Sequence, residues 1–217
     1  MLTQVRIERA FRRLFEARAQ AGIPDAATLP VPLARETFLA AAMFCDVPFN
    51  EGSYFEDHLI PVCVATIRLV PDNVAAHITA MHHDTDEDLG DFLTKYVRMA
   101  PILGYIFSDP VEEGIRMLSN PTISKRLPEE ERIRRYQEHV YEAVEEPIPR
   151  AVKTGDFSVN AGRIAYAPPA RQPKLARKYL GLYPLFIGIA LEYGEYGAQV
   201  SRELVEAEKI ARVLAAR

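Results

Sequence analysis

The chain has 217 residues, 48% of them hydrophobic and 26% charged, with a formal net charge of −4. That is enough apolar material for one well-buried core, and the acidic balance argues against a protein devoted to coating nucleic-acid phosphates. Cys45 and Cys63 are the only cysteines and have no CxxC spacing, which excludes a disulfide framework and a thiolate metal site and leaves two reduced core residues.

Helical signals run the length of the chain. Thr3 is placed to cap a helix carrying Ile7, Phe11, Leu14 and Phe15 at helical spacing, and Gly22-Ile23-Pro24 ends it. After a linker containing Ala and Pro, residues 33–46 read as a second helix, broken by Val47-Pro48-Phe49-Asn50-Glu51-Gly52. Ser53 with Glu56 forms a capping-box pattern for a third helix running through His58 towards Leu69. The β-branched residues within 62–70 also suit a strand. Asn73 starts a short apolar helix through Ile78 and Met81, with an acidic run at its end. Thr85, Asp88, Leu89, Phe92, Leu93, Tyr96 and Val97 suit a further helix leaving that turn.

Ser108-Asp109-Pro110 opens another helix, closed by Asn120-Pro121, and residues 128–144 form a charged amphipathic one. Within 150–164, Val152, Asp156, Val159, Asn160 and Arg163 share one helical face, while Asn160-Ala161-Gly162 also fits a hairpin turn. Helices over 174–193, with a break at Pro184, and over 196–216 complete the chain. The apolar stretches 99–107 and 182–191 fall short of the roughly 20 residues that cross a bilayer, and the N-terminus has no signal-peptide core. A soluble cytoplasmic protein is expected, with no membrane partner and no nucleic acid.

The chemistry concentrates in His82-His83-Asp84-Thr85-Asp86-Glu87-Asp88. A metal that activates water takes imidazole nitrogen and carboxylate oxygen, with a position left open, and His83-Asp84 offers both donors side by side. Two ligands do not close a site. His58 upstream and Val152-Lys153-Thr154-Gly155-Asp156, with Asn160 one turn on, supply further candidates. Glu87, three residues past Asp84, is close enough on a turn or helix to reach water there without being a ligand. Asp84, Asp86 and Asp88 imitate the start of a calcium loop, but that loop requires Gly and an acid where this chain has Leu89 and Lys95. His77 and His82 read as packing residues and His139 as a solvated one. The basic clusters Lys125–Arg135 and Arg171–Lys178 read first as solvated helix faces, and the second also suits a small phosphorylated ligand.

In this order of motifs the chain resembles the HD-domain phosphohydrolases, most closely the (p)ppGpp hydrolase domains of small alarmone hydrolases and RelA/SpoT-type proteins. Those carry a Gly-x-x-Tyr-x-x-His-Pro-like segment, an HDxxED box and a VKxxDxxxN helix. Here they correspond to Gly52…His58, to His83-Asp84-Thr85-Asp86-Glu87-Asp88, and to Val152-Lys153-Thr154-Gly155-Asp156 with Asn160. The resemblance covers residues 52–193 and implies an all-α, HD-type helical domain over 1–217. Residues 1–51 would be an N-terminal helical extension, 52–193 the core and 194–217 a C-terminal helix. It also implies that 150–164 is helical.

By the same resemblance, His58, His83, Asp84 and Asp156 bind a divalent metal, manganese first, with iron, zinc and cobalt as alternatives. Glu87 and Asp88 orient and deprotonate the attacking water, and Asn160 bonds the substrate's sugar or base. The implied substrate is a small nucleotide, guanosine-3′,5′-bis(diphosphate) first. A nucleotidase, an NADPH phosphatase and an inactive scaffold binding a nucleotide or a protein stand as alternatives, and a homo-oligomer is compatible with all of them. The family's phosphate-gripping Arg, Lys and His lie before the first histidine. Residues 41–46 here contain none, and Leu59 replaces the proline after His58. Cationic partners for phosphate must then come from elsewhere, with Lys153, Arg150 and the 171–178 cluster, notably Lys174 and Arg177, as candidates.

Overall fold

The computed structural model describes residues 4–44, 47–49, 52–89 and 107–217. These are mostly helical: α1 (Gln4–Gln20), α2 (Val31–Met43), α3 (Ile60–Leu69), α4 (Val74–His82), α5 (Thr85–Leu89), α6 (Asp109–Leu118), α7 (Glu129–Ala143), α8 (Pro147–Ala161), α9 (Gln172–Leu180), α10 (Tyr183–Ala190) and α11 (Gly194–Ala215). A two-residue antiparallel hairpin, β1 (Pro48–Phe49) with β2 (Gly52–Ser53), precedes α3. The expected cap at Thr3, and Phe92, Leu93, Tyr96 and Val97 of the helix expected after Thr85, lie outside the described residues. So does Cys45; Cys63 is buried and unpaired.

Local chemistry explains several boundaries. Asn73 caps α4, its side-chain oxygen accepting from the Ala76 N–H at 3.0 Å. Prolines stand in the first turns of α2, α6, α8, α9 and α10, where a missing N–H removes no helical bond. Pro61 of α3 instead follows the helical turn Phe55–Leu59 directly, and its missing N–H leaves that turn short of a donor. The break between α9 and α10 falls at Gly181-Leu182, so Pro184 starts a helix rather than interrupting one. The ambiguous stretch 62–70 is helical because α3 is buried nearly all round, with Val62, Cys63, Thr66 and Ile67 fully enclosed, and packing overrides β propensity.

One arm of the expected capping box at Ser53 forms, the Glu56 N–H donating to Ser53 Oγ at 3.5 Å, and the reciprocal arm takes a different form. Between β2 and α3 the chain makes one π-helical turn, Phe55–Leu59. Its extra residue shifts the reach by one position. The Ser53 N–H therefore donates to Asp57 Oδ2 at 2.8 Å, while Glu56 pairs with Arg6 and Arg9 of α1, each at 3.2 Å.

Two apolar clusters result. The first gathers α1 to α4 and α6 around Leu14, Leu33, Leu59, Ile67, Met81 and Ile115. The second gathers α7, α9, α10 and α11 around Tyr136, Tyr179, Tyr183 and Phe186. Helix α8 belongs to both, with Val152 in the first and Phe157 and Ala161 in the second. Close approach of α8 to α3 depends on Gly155, where a Cβ would lie 3.0 Å from Thr66 Oγ1 and 3.3 Å from the Val62 carbonyl.

Helix α2 is tied to α4 by a buried pair, Glu36 Oε2 to His82 Nε2 at 2.9 Å, both side chains fully enclosed. Removing one partner of such a pair leaves the other uncompensated. Glu36→Ala should lower the unfolding free energy by about 3 kcal/mol in urea titration, the low end of the range for broken buried pairs. An unchanged midpoint would show that the pair does not hold α2 in place.

Candidate metal centre

Three elements bring their polar side chains to one point between the clusters. His58 comes from the π-helical turn before α3, His83 and Asp84 from the turn between α4 and α5, and Asp156 from the middle of α8. His58 Nε2 lies 2.8 Å from Asp84 Oδ2 and 3.2 Å from His83 Nε2, and His83 Nε2 lies 3.1 Å from Asp84 Oδ2. Asp156 Oδ1 is 3.7 Å from both imidazole nitrogens. His58, His83 and Asp84 present one ligand atom each, all within 4.8 Å of one another, a grouping that could hold a metal ion.

The donor chemistry fits a cation. His83 Nδ1 sits 2.9 Å from the Ala80 carbonyl, which makes it the N–H donor and turns the Nε2 lone pair towards the cluster in the neutral ring. Carboxylate oxygens only accept, so these atoms require either protons or an ion between them. Burial lowers the His83 pKa, but the charge of Asp84 and the hydrogen bonds of Asp156 and Asp84 outweigh it and raise it to about 10. Burial likewise raises Asp84, and the charge of His83 with the bond from His58 drives it well below the usual carboxylate range.

Both carboxylates are held by further donors, two of them on the same oxygens that face the imidazoles. The Tyr54 hydroxyl donates to Asp84 Oδ2 at 2.6 Å. Lys153 Nζ pairs with Asp156 Oδ2 at 3.1 Å, and Asn160 Nδ2 donates to Asp156 Oδ1 at 2.5 Å. Burial would raise Asp156 and lower Lys153, and their mutual charge reverses both, fixing an ionised pair.

The cluster opens into a cavity of about 630 Å³. Of the residues expected at a site, His58, Asp84, Glu87, Lys153, Asp156 and Asn160 line it, and His83 is enclosed behind it. Glu87 Oε1 accepts from both the Asn120 N–H and its side-chain amide, at 2.7 and 2.5 Å. Burial and the neighbouring Asp84 push the Glu87 pKa up. The Asp88 side chain lies outside the described residues.

The expected cations are distributed differently. Arg177 pairs with Glu129 at 2.9 Å, and neither it nor the exposed Lys174 lines the cavity. Arg150 is engaged by the Val144 carbonyl and Glu192. Arg163, Arg171 and Lys178 line the cavity instead. His77 is a packing residue, with Nε2 2.9 Å from the Val70 carbonyl and a pKa lowered by burial to about 4. His82 is paired with Glu36, and His139, expected to be solvated, is half-buried.

Two arginines to which the sequence assigns no role at the site support His58: Arg13, and Arg163 from the face shared with Asp156. Pro61 has no N–H to offer the Glu56 carbonyl five residues before it or the Asp57 carbonyl four before it, and both take outside donors: Arg13 of α1 donates to the Glu56 oxygen at 2.8 Å and Arg163 to the Asp57 oxygen at 2.9 Å. The signal available in sequence for Arg13 was the Arg6, Arg9, Arg13 stripe at i, i+3, i+7, which borders the turn while Arg9 stays largely exposed.

No protein-family profile, curated protein or solved structure matches the chain.

Arg13→Met should weaken divalent-metal binding, probed with Mn²⁺ by calorimetry, by less than the roughly tenfold lost when a group bonded directly to a ligand is removed, with Arg13→Lys intermediate. Equal affinities for wild type and Arg13→Met would mean that the turn holds His58 without help.

Proposed function

We propose that this chain is a metal-dependent phosphohydrolase of the HD type acting on nucleotide-class substrates, with (p)ppGpp 3′-pyrophosphohydrolysis as the first candidate. The observation that carries the reading is the convergence of His58, His83 and Asp84 with Asp156 at the floor of a ligand-sized cavity. Imidazole and carboxylate donors together suit a borderline ion such as manganese, iron, zinc or cobalt. When bound, such an ion supplies Lewis acidity to water and to a phosphoryl oxygen.

The chain's own groups account for the remaining steps. Glu87, held by Asn120 and with its pKa raised by burial and by Asp84, takes a proton from the attacking water. Water adds to phosphorus, the ester P–O bond breaks, and the proton returns to the departing oxygen. Asn160 commits its amide N–H to Asp156, which leaves its carbonyl to accept from a sugar hydroxyl or a base. Lys153 keeps Asp156 ionised.

A second reading, an inactive scaffold that binds a nucleotide, draws on one observation: residues 41–46 carry none of the cations that the resembling hydrolases place before the first histidine. One assay separates the two. Purified protein with Mn²⁺ should hydrolyse at least one of ppGpp, NADPH and a nucleotide panel. His83→Ala and Asp84→Ala should abolish turnover, and Glu87→Gln should lower kcat on the order of a hundredfold or more at unchanged Mn²⁺ affinity. Metal binding without turnover of any substrate would favour the scaffold, and activity indifferent to both ligand substitutions would sink the mechanism.

A further inference from the structure

The cations lining the cavity are not equivalent. Lys153 is consumed by Asp156, and Arg163 donates to the Asp57 carbonyl. Lys178, on α9, has no carboxylate within ion-pair distance among the described residues. Its Nζ lies instead 3.9 Å from the ring centroid of Tyr136 and 5.2 Å from that of Tyr179. Aromatic faces compensate an ammonium group only in part for lost water. Burial, reinforced by the like charge of Lys153, accordingly lowers the Lys178 pKa to about 8. Burial also raises the phenols of Tyr136 and Tyr179 well above their usual range, so they stay protonated and supply no countercharge.

The charge of the whole cavity points the same way. Its described lining holds four carboxylates, Asp57, Asp84, Glu87 and Asp156, and four cations, Lys153, Arg163, Arg171 and Lys178. A divalent ion among the carboxylates would leave the cavity two charges positive, the complement of a phosphate ester or pyrophosphate dianion. Lys178 stands on a coherent face for receiving one. Arg171, Leu175, Lys178 and Tyr179 recur at i, i+4, i+7 and i+8 of α9 and all line the cavity.

We infer that Lys178, cradled by Tyr136 and Tyr179, is the residue that grips the substrate's phosphate, from the wall built by α7 and α9. The inference rests on the phosphohydrolase reading for the identity of the anion. It assigns to the second apolar cluster the task for which residues 41–46 have no side chain. Lys178 would touch substrate rather than metal, so its loss should raise KM more than it lowers kcat.

The test uses inorganic pyrophosphate as probe, at pH 7, on full-length protein loaded with Mn²⁺ and freed of excess ion, the state in which the cavity carries its positive excess, with metal-free protein titrated in parallel. Lys178→Met keeps the aliphatic stem against the two rings, and the Lys178 carbonyl keeps its bond from Gln137, so folding should survive and is checked by the unfolding midpoint. Calorimetry should show pyrophosphate binding weakened at least tenfold in Lys178→Met and restored to within about threefold in Lys178→Arg, whose guanidinium also stacks on aromatic faces. Mn²⁺ affinity should be the same in all three proteins. Equal pyrophosphate affinities for wild type and Lys178→Met, or no binding by wild type, would overturn the inference. Failure of wild type to bind Mn²⁺ while the pyrophosphate difference persists would remove the phosphohydrolase reading and leave the anion site standing.

Discussion

Two imidazole nitrogens 3.2 Å apart, with a carboxylate oxygen within 3.1 Å of each, form a group of atoms that protein alone satisfies only by adding protons. His83 has committed its other nitrogen to the Ala80 carbonyl, so a proton at Nε2 makes the ring a cation. Burying that many charges is unfavourable unless each is paired and hydrogen-bonded. The surroundings meet this condition one carboxylate at a time, with Tyr54 on Asp84 and with Lys153 and Asn160 on Asp156. Positive charge between the four side chains is thus a requirement of the arrangement, whether protons or an ion supply it.

The fold answers the requirement by placing the cluster where two apolar bodies share a helix. Helix α8 packs Val152 into one and Phe157 into the other, and Lys153 and Asp156 fall between these anchors. The glycine before Asp156 lets α8 approach α3, the helix that His58 precedes. Residues far apart in the chain are thereby held on rigid elements. Arg13 and Arg163 extend the same logic to the π turn, where Pro61 supplies no N–H and the carbonyls bond side chains from α1 and from beyond the end of α8.

Much of this was legible in the sequence, for identifiable reasons. Asn73 signals its helix because a cap is a local interaction, and His83-Asp84 signals a centre because both donors are adjacent. His58 and Asp156 were reachable through motif order, although no local rule brings them within 3.7 Å of each other. Glu36 was not legible: its partner is 46 residues away, and a lone acid in an apolar helix looks like a surface residue until the helix is packed. The reciprocal arm at Ser53 was misplaced by one residue because a π turn leaves no signature in capping-box spacing. The basic run after Arg171 was visible as a cluster, but its facing was not. Lys174 and Arg177 carry the same charge as Lys178, and only the apolar neighbours Leu175 and Tyr179 mark which stripe turns inward.

That stripe divides the labour of the cavity between the two apolar bodies. The acceptors that call for a cation come from the first body and from α8, whereas the aromatic-cradled ammonium comes from the second. The joint between them is polar where the cavity opens and apolar where α8 is anchored. Cation and anion sites on a single helix would have neutralised each other, as Lys153 and Asp156 do three residues apart. Placing Lys178 on a different body keeps its charge unspent in the folded chain, at the expense of a lowered pKa and partial desolvation. The electrostatic asymmetry of the cavity, acceptors on one wall and an ammonium group on the other, is therefore a product of topology.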